Sequence, residues 1–147
     1  MQEKDWPNFS KSLIYKVNKI IGSGKINYTT GPYGLEFEKN FSKFLGNKYS
    51  IALCNGTAAL EVAIKSLKLP KNSEIIVPAR SFFSSAASIV NSGYKPIFAD
   101  VDLLTQNILL DDVEAKLTKR TKAIICVHLG GMPCDMYGLK KIAKEKL

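Results

Sequence analysis

From Tyr49 onward, four short apolar runs, "YSIALC", "EIIVP", "PIFAD" and "AIICVH", alternate with segments of helical periodicity. Leu60, Ala63, Ile64 and Leu67 mark one helix face, with Glu61 and Lys65 paired four residues apart. "SSAASIVNSG" reads as a second helix closed by Gly93, and "LDDVEAKL" as a third. Strands that alternate with helices can bury both faces of each strand only as a largely parallel sheet covered on both sides, joined by right-handed crossovers. The fold class expected is therefore α/β, with a mostly parallel sheet.

The residues before this region read differently. Leu13, Val17, Ile20 and Ile21 recur at helical spacing, so an amphipathic helix is expected from Ser10 to Ile21. "GSGKINYTTGPYG" follows as a loop rich in glycine and threonine. Phe37, Phe41, Phe44 and Leu45 then form a second helical stripe that stops before Gly46. The last segment, "MYGLKKIAKEKL", is helical, and a doubly wound sheet would continue from it into another strand, so the chain reads as interrupted.

Charge and cysteine usage narrow the class. The net charge is +8, with Arg80 and Arg120 the only arginines and the lysines scattered along 147 residues. That spread reads as a solvated surface, and it also suits a phosphate-bearing small substrate. No nucleic-acid motif accompanies it. Cys54, Cys126 and Cys134 include no C-x-x-C pair, which argues against a metal centre or a disulfide framework and for a reducing compartment. The opening "MQEKDWPNF" has no apolar signal core, and no apolar run approaches the ~18–20 residues of a spanning helix. A soluble, cytoplasmic protein without nucleic-acid or membrane partners is expected.

Three stretches carry chemistry. "NGTAAL", residues 55–60, is a glycine turn between an apolar run and a helix start. Such a turn offers free N–H groups and the positive helix end to an anion, and Thr57 can either cap the helix or give its hydroxyl to a phosphate oxygen. It matches neither nucleotide-binding glycine pattern, G-x-x-x-x-G-K-[ST] or G-x-G-x-x-G. "IIVPARSFFSSAASI" runs from a strand into Arg80, Ser81, Phe82 and Phe83, at the carboxyl edge where ligands of open α/β sheets gather. An aromatic there could stack on a flat ring, or both phenylalanines could belong to the core. "CVHLGGMPCDM" ends a strand at His128, the only histidine, which fits a structural or a ligand-facing role; Asp135 can cap the final helix. No Ser/His/Asp set or metal cluster can be assembled.

Taken together, "GPYGLEFEKNFSKFLG", "ALCNGTAALEVAIKSL", "EIIVPARSFFSSAASIVNSGYKPIFADVD" and "TQNILLDDVEAKLTKRTKAIICVHLGGMPCDM" resemble, in order and in spacing, the N-terminal part of the DegT/DnrJ/EryC1/StrS sugar aminotransferases. The resemblance implies an incomplete three-layer αβα large domain of fold-type I aminotransferases, with residues 1–48 a helical N-terminal arm, 49–147 βα units, and the small C-terminal domain absent. It implies pyridoxal 5'-phosphate as cofactor, with Gly56, Thr57 and Ala58 at its phosphate and Phe82 stacked on its ring. Thr30 and Tyr33 would lie near the active-site entrance, Arg80 beside the ring, and His128 among the substrate contacts. The chemistry needs a Schiff-base lysine and an acid for the pyridinium nitrogen. In the family both come later, and Lys140, Lys141, Lys144 and Lys146 match neither, so no residue here is assigned a catalytic or a metal role. The intact relative would form a homodimer and transfer an amino group, from glutamate, to a nucleotide-linked keto-sugar for surface polysaccharide or amino-sugar biosynthesis. A non-catalytic truncated paralogue that docks on an intact subunit, and a sugar dehydratase of the same family, are the alternatives.

Overall fold

A computed structural model describes residues 6–147; the opening residues 1–5, part of the stretch read above as lacking a signal core, lie outside it. The chain forms two compact units, Met1–Ala52 and Leu53–Leu147. In the first unit, α1 (Lys11–Gly22) starts where Ser10 caps it by accepting from the Leu13 amide at 3.2 Å. α2 (Tyr33–Leu45) begins two residues inside the expected loop, because Pro32 presets the helix entry, and it stops at Gly46 in the left-handed conformation (φ 69°). Phe37 and Phe41 stack along α2 at 5.5 Å. The Glu38 carboxylate accepts from the Ala52 amide (2.7 Å) and the Tyr28 hydroxyl (3.0 Å), tying both flanks of the unit to α2.

The second unit contains α3 (Gly56–Ser66), β1 (Glu74–Pro78), α4 (Ser84–Asn91), β2 (Lys95–Ala99), α5 (Leu110–Ala115), β3 (Thr121–Ile124) and α6 (Met136–Lys146). The strands form one parallel sheet in the order β2-β1-β3, with Ile76 facing Ile97 on one side and Ile124 on the other. Alternation along β1 divides the core. Ile76 packs with Ala99, Ile108, Val113, Cys134, Leu139 and Ile142 beneath α5 and α6. Ile75 and Val77 pack with Ile64 and Ile89 beneath α3 and α4. All five residues of β1 are buried, as a central parallel strand requires. This is a three-layer α/β arrangement, a parallel sheet with helices packed on both faces, as expected.

Two strand expectations are corrected. "YSIALC" is irregular, with Ile51 75% and Leu53 41% exposed. Its alternation names a face to bury, but a strand also needs a ladder partner, and no described strand pairs with it. "AIICVH" leaves the sheet at Ile124, not His128. The even-numbered residues of β1 bond toward β3: Glu74 donates to the Arg120 carbonyl and Ile76 accepts from Ile125, each at 2.8 Å. Pro78 comes next on that side and has no N–H to give. Freed from the ladder, Cys126–His128 run on over the carboxyl edge.

Candidate functional site

An open cleft of ≈ 830 Å³ lies at the carboxyl edge of the sheet. It is lined by Asn55, Gly56, Thr57, Ala59 and Leu60 from the start of α3, Ser81 and Phe82 from the β1–α4 turn, Ser84 and Ser85 from the start of α4, and Val127–Gly130 from beyond β3. None of these residues is charged, so the field in the cleft comes from the α3 end and from backbone groups.

Asn55, not Thr57, caps α3. Its backbone is extended (φ −164°, ψ 171°) and its side chain accepts from the Ala58 amide at 2.9 Å, while its carbonyl accepts from Ala59 at 3.1 Å. Ala58 is thus corrected as a free donor: its N–H is already used. The amides of Gly56 and Thr57 find no acceptor among the described residues, nor does the Thr57 hydroxyl that the cap leaves free. A side-chain carbon added at Gly56 would meet nothing within 4 Å, so packing does not demand glycine there, although glycine weakens a helix. What glycine provides is open approach to the two amides.

Phe82 and Phe83 are not core residues; they are 77% and 80% exposed. Phe82 lines the cleft together with the α3 start, on a turn in which the Ser81 and Ser85 hydroxyls meet at 2.7 Å. His128 lies on the third wall, and its Nδ1 accepts from the Cys134 amide at 3.0 Å. That bond assigns the ring hydrogen to Nε2, which has no partner among the described residues. Arg80 does not line the cleft; its guanidinium donates to the side-chain carbonyl of Gln106, a neutral partner rather than a carboxylate. Thr30 and Tyr33 belong to the first unit. The Thr30 hydroxyl and amide both donate to Asn27 Oδ1, at 2.7 and 2.9 Å, and Tyr33 opens α2. Asp135 caps α6 by accepting from Gly138 at 2.9 Å. Sequence reasoning missed Asn55 and the Cys134 amide; an asparagine immediately before a helical run is the one signal that could have revealed the first.

The site therefore combines two unused amides at a helix start, a hydroxyl, an exposed aromatic face and an imidazole edge. That set suits an anion attached to a flat ring.

Comparison with known proteins places this arrangement in a family. The model of the DegT/DnrJ/EryC1/StrS aminotransferase family matches residues 7–147. The chain is 38% identical over 144 residues to GDP-perosamine synthase of Escherichia coli O157:H7, covering 95% of this chain and 39% of that protein. It is similar to the crystal structure of an aminotransferase from Psychrobacter cryohalolentis, with a TM-score of 0.91 and 41% identity over 97% of this chain and 36% of that one. It also resembles a sugar aminotransferase of Streptococcus pneumoniae determined in its PLP form, with a TM-score of 0.87 and 31% identity over 95% of this chain and 35% of that one. The chain spans little more than a third of the length of these relatives. By the family match over nearly its whole length, the chain belongs to the DegT/DnrJ/EryC1/StrS aminotransferases.

Proposed function

We propose that the cleft is the pyridoxal 5'-phosphate site of a nucleotide-sugar aminotransferase, and that this chain supplies its phosphate cup and ring platform. The observation that carries the reading is the meeting of the unused Gly56 and Thr57 amides with the exposed Phe82 ring on one cleft. Gly56 and Thr57 would hold the phosphate, the helix end favouring its charge, and Ala58 would contribute shape rather than a hydrogen bond. Phe82 would lie against the ring and exclude water from one face. His128 Nε2–H would donate at the opposite wall, toward cofactor or substrate. Thr30 and Tyr33 are assigned to the substrate entrance, and Arg80 to shaping the edge through Gln106. When bound, the cofactor supplies an electron sink for amino transfer.

In this reading the donor is glutamate, the acceptor a nucleotide-linked keto-sugar, and the product feeds surface polysaccharide or amino-sugar synthesis in a cytoplasmic homodimer. The names of the relatives support the sugar class. No lysine or acid lines the cleft, and the lysines of α6 lie on another element, so this chain by itself is assigned cofactor binding without amino transfer.

The test uses pyridoxine 5'-phosphate, whose missing aldehyde prevents reaction with surface lysines. Calorimetry should detect its binding and detect none for pyridoxine, which lacks the phosphate. Equal binding of the two, or no binding of either, would overturn the cofactor reading.

A further inference from the structure

We infer that Asn107 is the positioning residue of the cleft's third wall, setting the backbone that carries His128. Asn107 is 5% exposed and sits on the opposite strand of a short hairpin, whose Val101–Ile108 bridge and Asp102–Asn107 backbone bond (2.9 Å) fix its main chain. The Asp102 carboxylate stiffens the hairpin tip by accepting from the Thr105 amide (2.8 Å), the Thr105 hydroxyl (2.9 Å) and the Leu104 amide (3.2 Å). From this anchored position the Asn107 side chain reaches the segment after β3 at three points. Its Oδ1 accepts from the Leu129 amide at 3.2 Å, and its Nδ2 donates to the carbonyls of Met132 and Pro133, each at 3.0 Å. The opposite amide orientation would set oxygen against two carbonyls, so the assignment is unambiguous.

These three bonds fall at informative places. Leu129 directly follows His128, and Pro133 directly precedes Cys134, whose amide donates to His128 Nδ1. Between them lie Gly130 and Gly131, both with positive φ (60° and 88°), a stretch that would otherwise have wide backbone freedom. Asn107 therefore fixes the span across which the His128–Cys134 bond forms, and so which ring nitrogen is left without a partner among the described residues. Aspartate at this position would keep the acceptor for Leu129 and lose both donated bonds, turning a carboxylate toward two carbonyl oxygens. A buried polar group left in that state is costly, which is why the side chain acts as a lock rather than as filler.

The consequence for ligand binding rests on the cofactor reading above; the consequence for the ring does not. His128 is the only histidine, so its imidazole can be followed alone by ¹⁵N NMR in the full chain. The wild-type ring should be the Nε2–H tautomer, with a Cys134 amide protected from exchange. In N107D and N107A the ring should become a mixture of tautomers, the Cys134 amide should lose protection, and pyridoxine 5'-phosphate should bind about three- to tenfold more weakly, the range of one ordinary hydrogen bond. Amide signals of β1 should stay in place. An Nδ1–H ring or an unprotected Cys134 amide in the wild type would overturn the inference even if the variants fail to fold. An unchanged ring and affinity in folded variants would also overturn it, while leaving the cofactor reading intact. A ring that responds to N107D in a chain that binds no pyridoxine 5'-phosphate would support the positioning role and reject the cofactor reading.

Discussion

Glu74, the first residue of β1, is 1% exposed, and its carboxylate accepts from the Thr118 hydroxyl at 2.6 Å and from Arg120 Nη2 and Nε at 2.7 and 3.1 Å. At the other end of the same sheet, Phe82 is 77% exposed and the Gly56 and Thr57 amides have no partner among the described residues. The amino edge is closed: its one buried charge is matched by hydrogen bonds and by Arg120, with Lys95 at 3.7 Å. The carboxyl edge is open, and the Gly56 and Thr57 amides, the Thr57 hydroxyl and His128 Nε2 are left without partners among the described residues. Parallel strands put all their amino ends on one side and all their carboxyl ends on the other, so stability and binding can be assigned to opposite edges without competing. Interactions fully made within the chain hold the fold, and those left unmade are available to a ligand.

Substitutions should separate the two edges. The largest loss of stability is expected in the sheet between them. Ile76→Ala removes a fully buried side chain from the core shared by β1, α5 and α6, and should lower unfolding free energy by about 2–5 kcal/mol in denaturant titration. A loss near zero would mean that the sheet is not the structural centre.

Glu74→Gln tests the closed edge through pH. The Thr118 hydrogen bond first, and then Arg120, hold the Glu74 carboxyl below its ordinary value. A carboxyl depressed in the folded state contributes stability that is complete above the ordinary glutamate range, about pH 4.3, and that is lost as pH falls through the folded value. The wild type should therefore exceed Glu74→Gln in stability at neutral pH, and the gap should close below about pH 4. Arg120 is solvent-accessible, so salt should narrow the gap at neutral pH as well. A gap that widens on acidification would reverse the assignment.

Phe82→Ala should have the smallest effect on folding, within about 0.5 kcal/mol, because the ring is exposed. Pyridoxine 5'-phosphate affinity should nevertheless fall about two- to twelvefold, the equivalent of ~0.5–1.5 kcal/mol of aromatic stacking. A variant that loses stability but not affinity would make Phe82 a structural residue.

How much of this was legible depended on how local the determinants are. α1 and α2 could be read because Ser10, the apolar stripes and Gly46 lie beside the elements they define. The sheet could be read as parallel from alternation alone. The "YSIALC" strand could not be settled, since pairing depends on a partner distant in sequence, and the early end of β3 depends on Pro78, more than forty residues before it. Gly56, Thr57, Phe82 and His128, singled out in the sequence, line one cleft because the segments that carry them share the carboxyl edge. The Ala58 amide is not free, because Asn55, three residues before it, takes the cap that the sequence reading offers to Thr57. Asn107 was invisible: its three partners lie 22, 25 and 26 residues away, and nothing local distinguishes it from any polar turn residue.

The contrast between the closed and open edges is tested most directly by residue-resolved amide shifts during titration with pyridoxine 5'-phosphate. The account predicts that Gly56 and Thr57 move first and furthest, that Phe82 follows as the ring seats, and that Glu74, Lys95 and Arg120 stay still. Shifts that begin at Lys95 and Arg120, or that spread over the surface lysines while Gly56 and Thr57 remain in place, would contradict it.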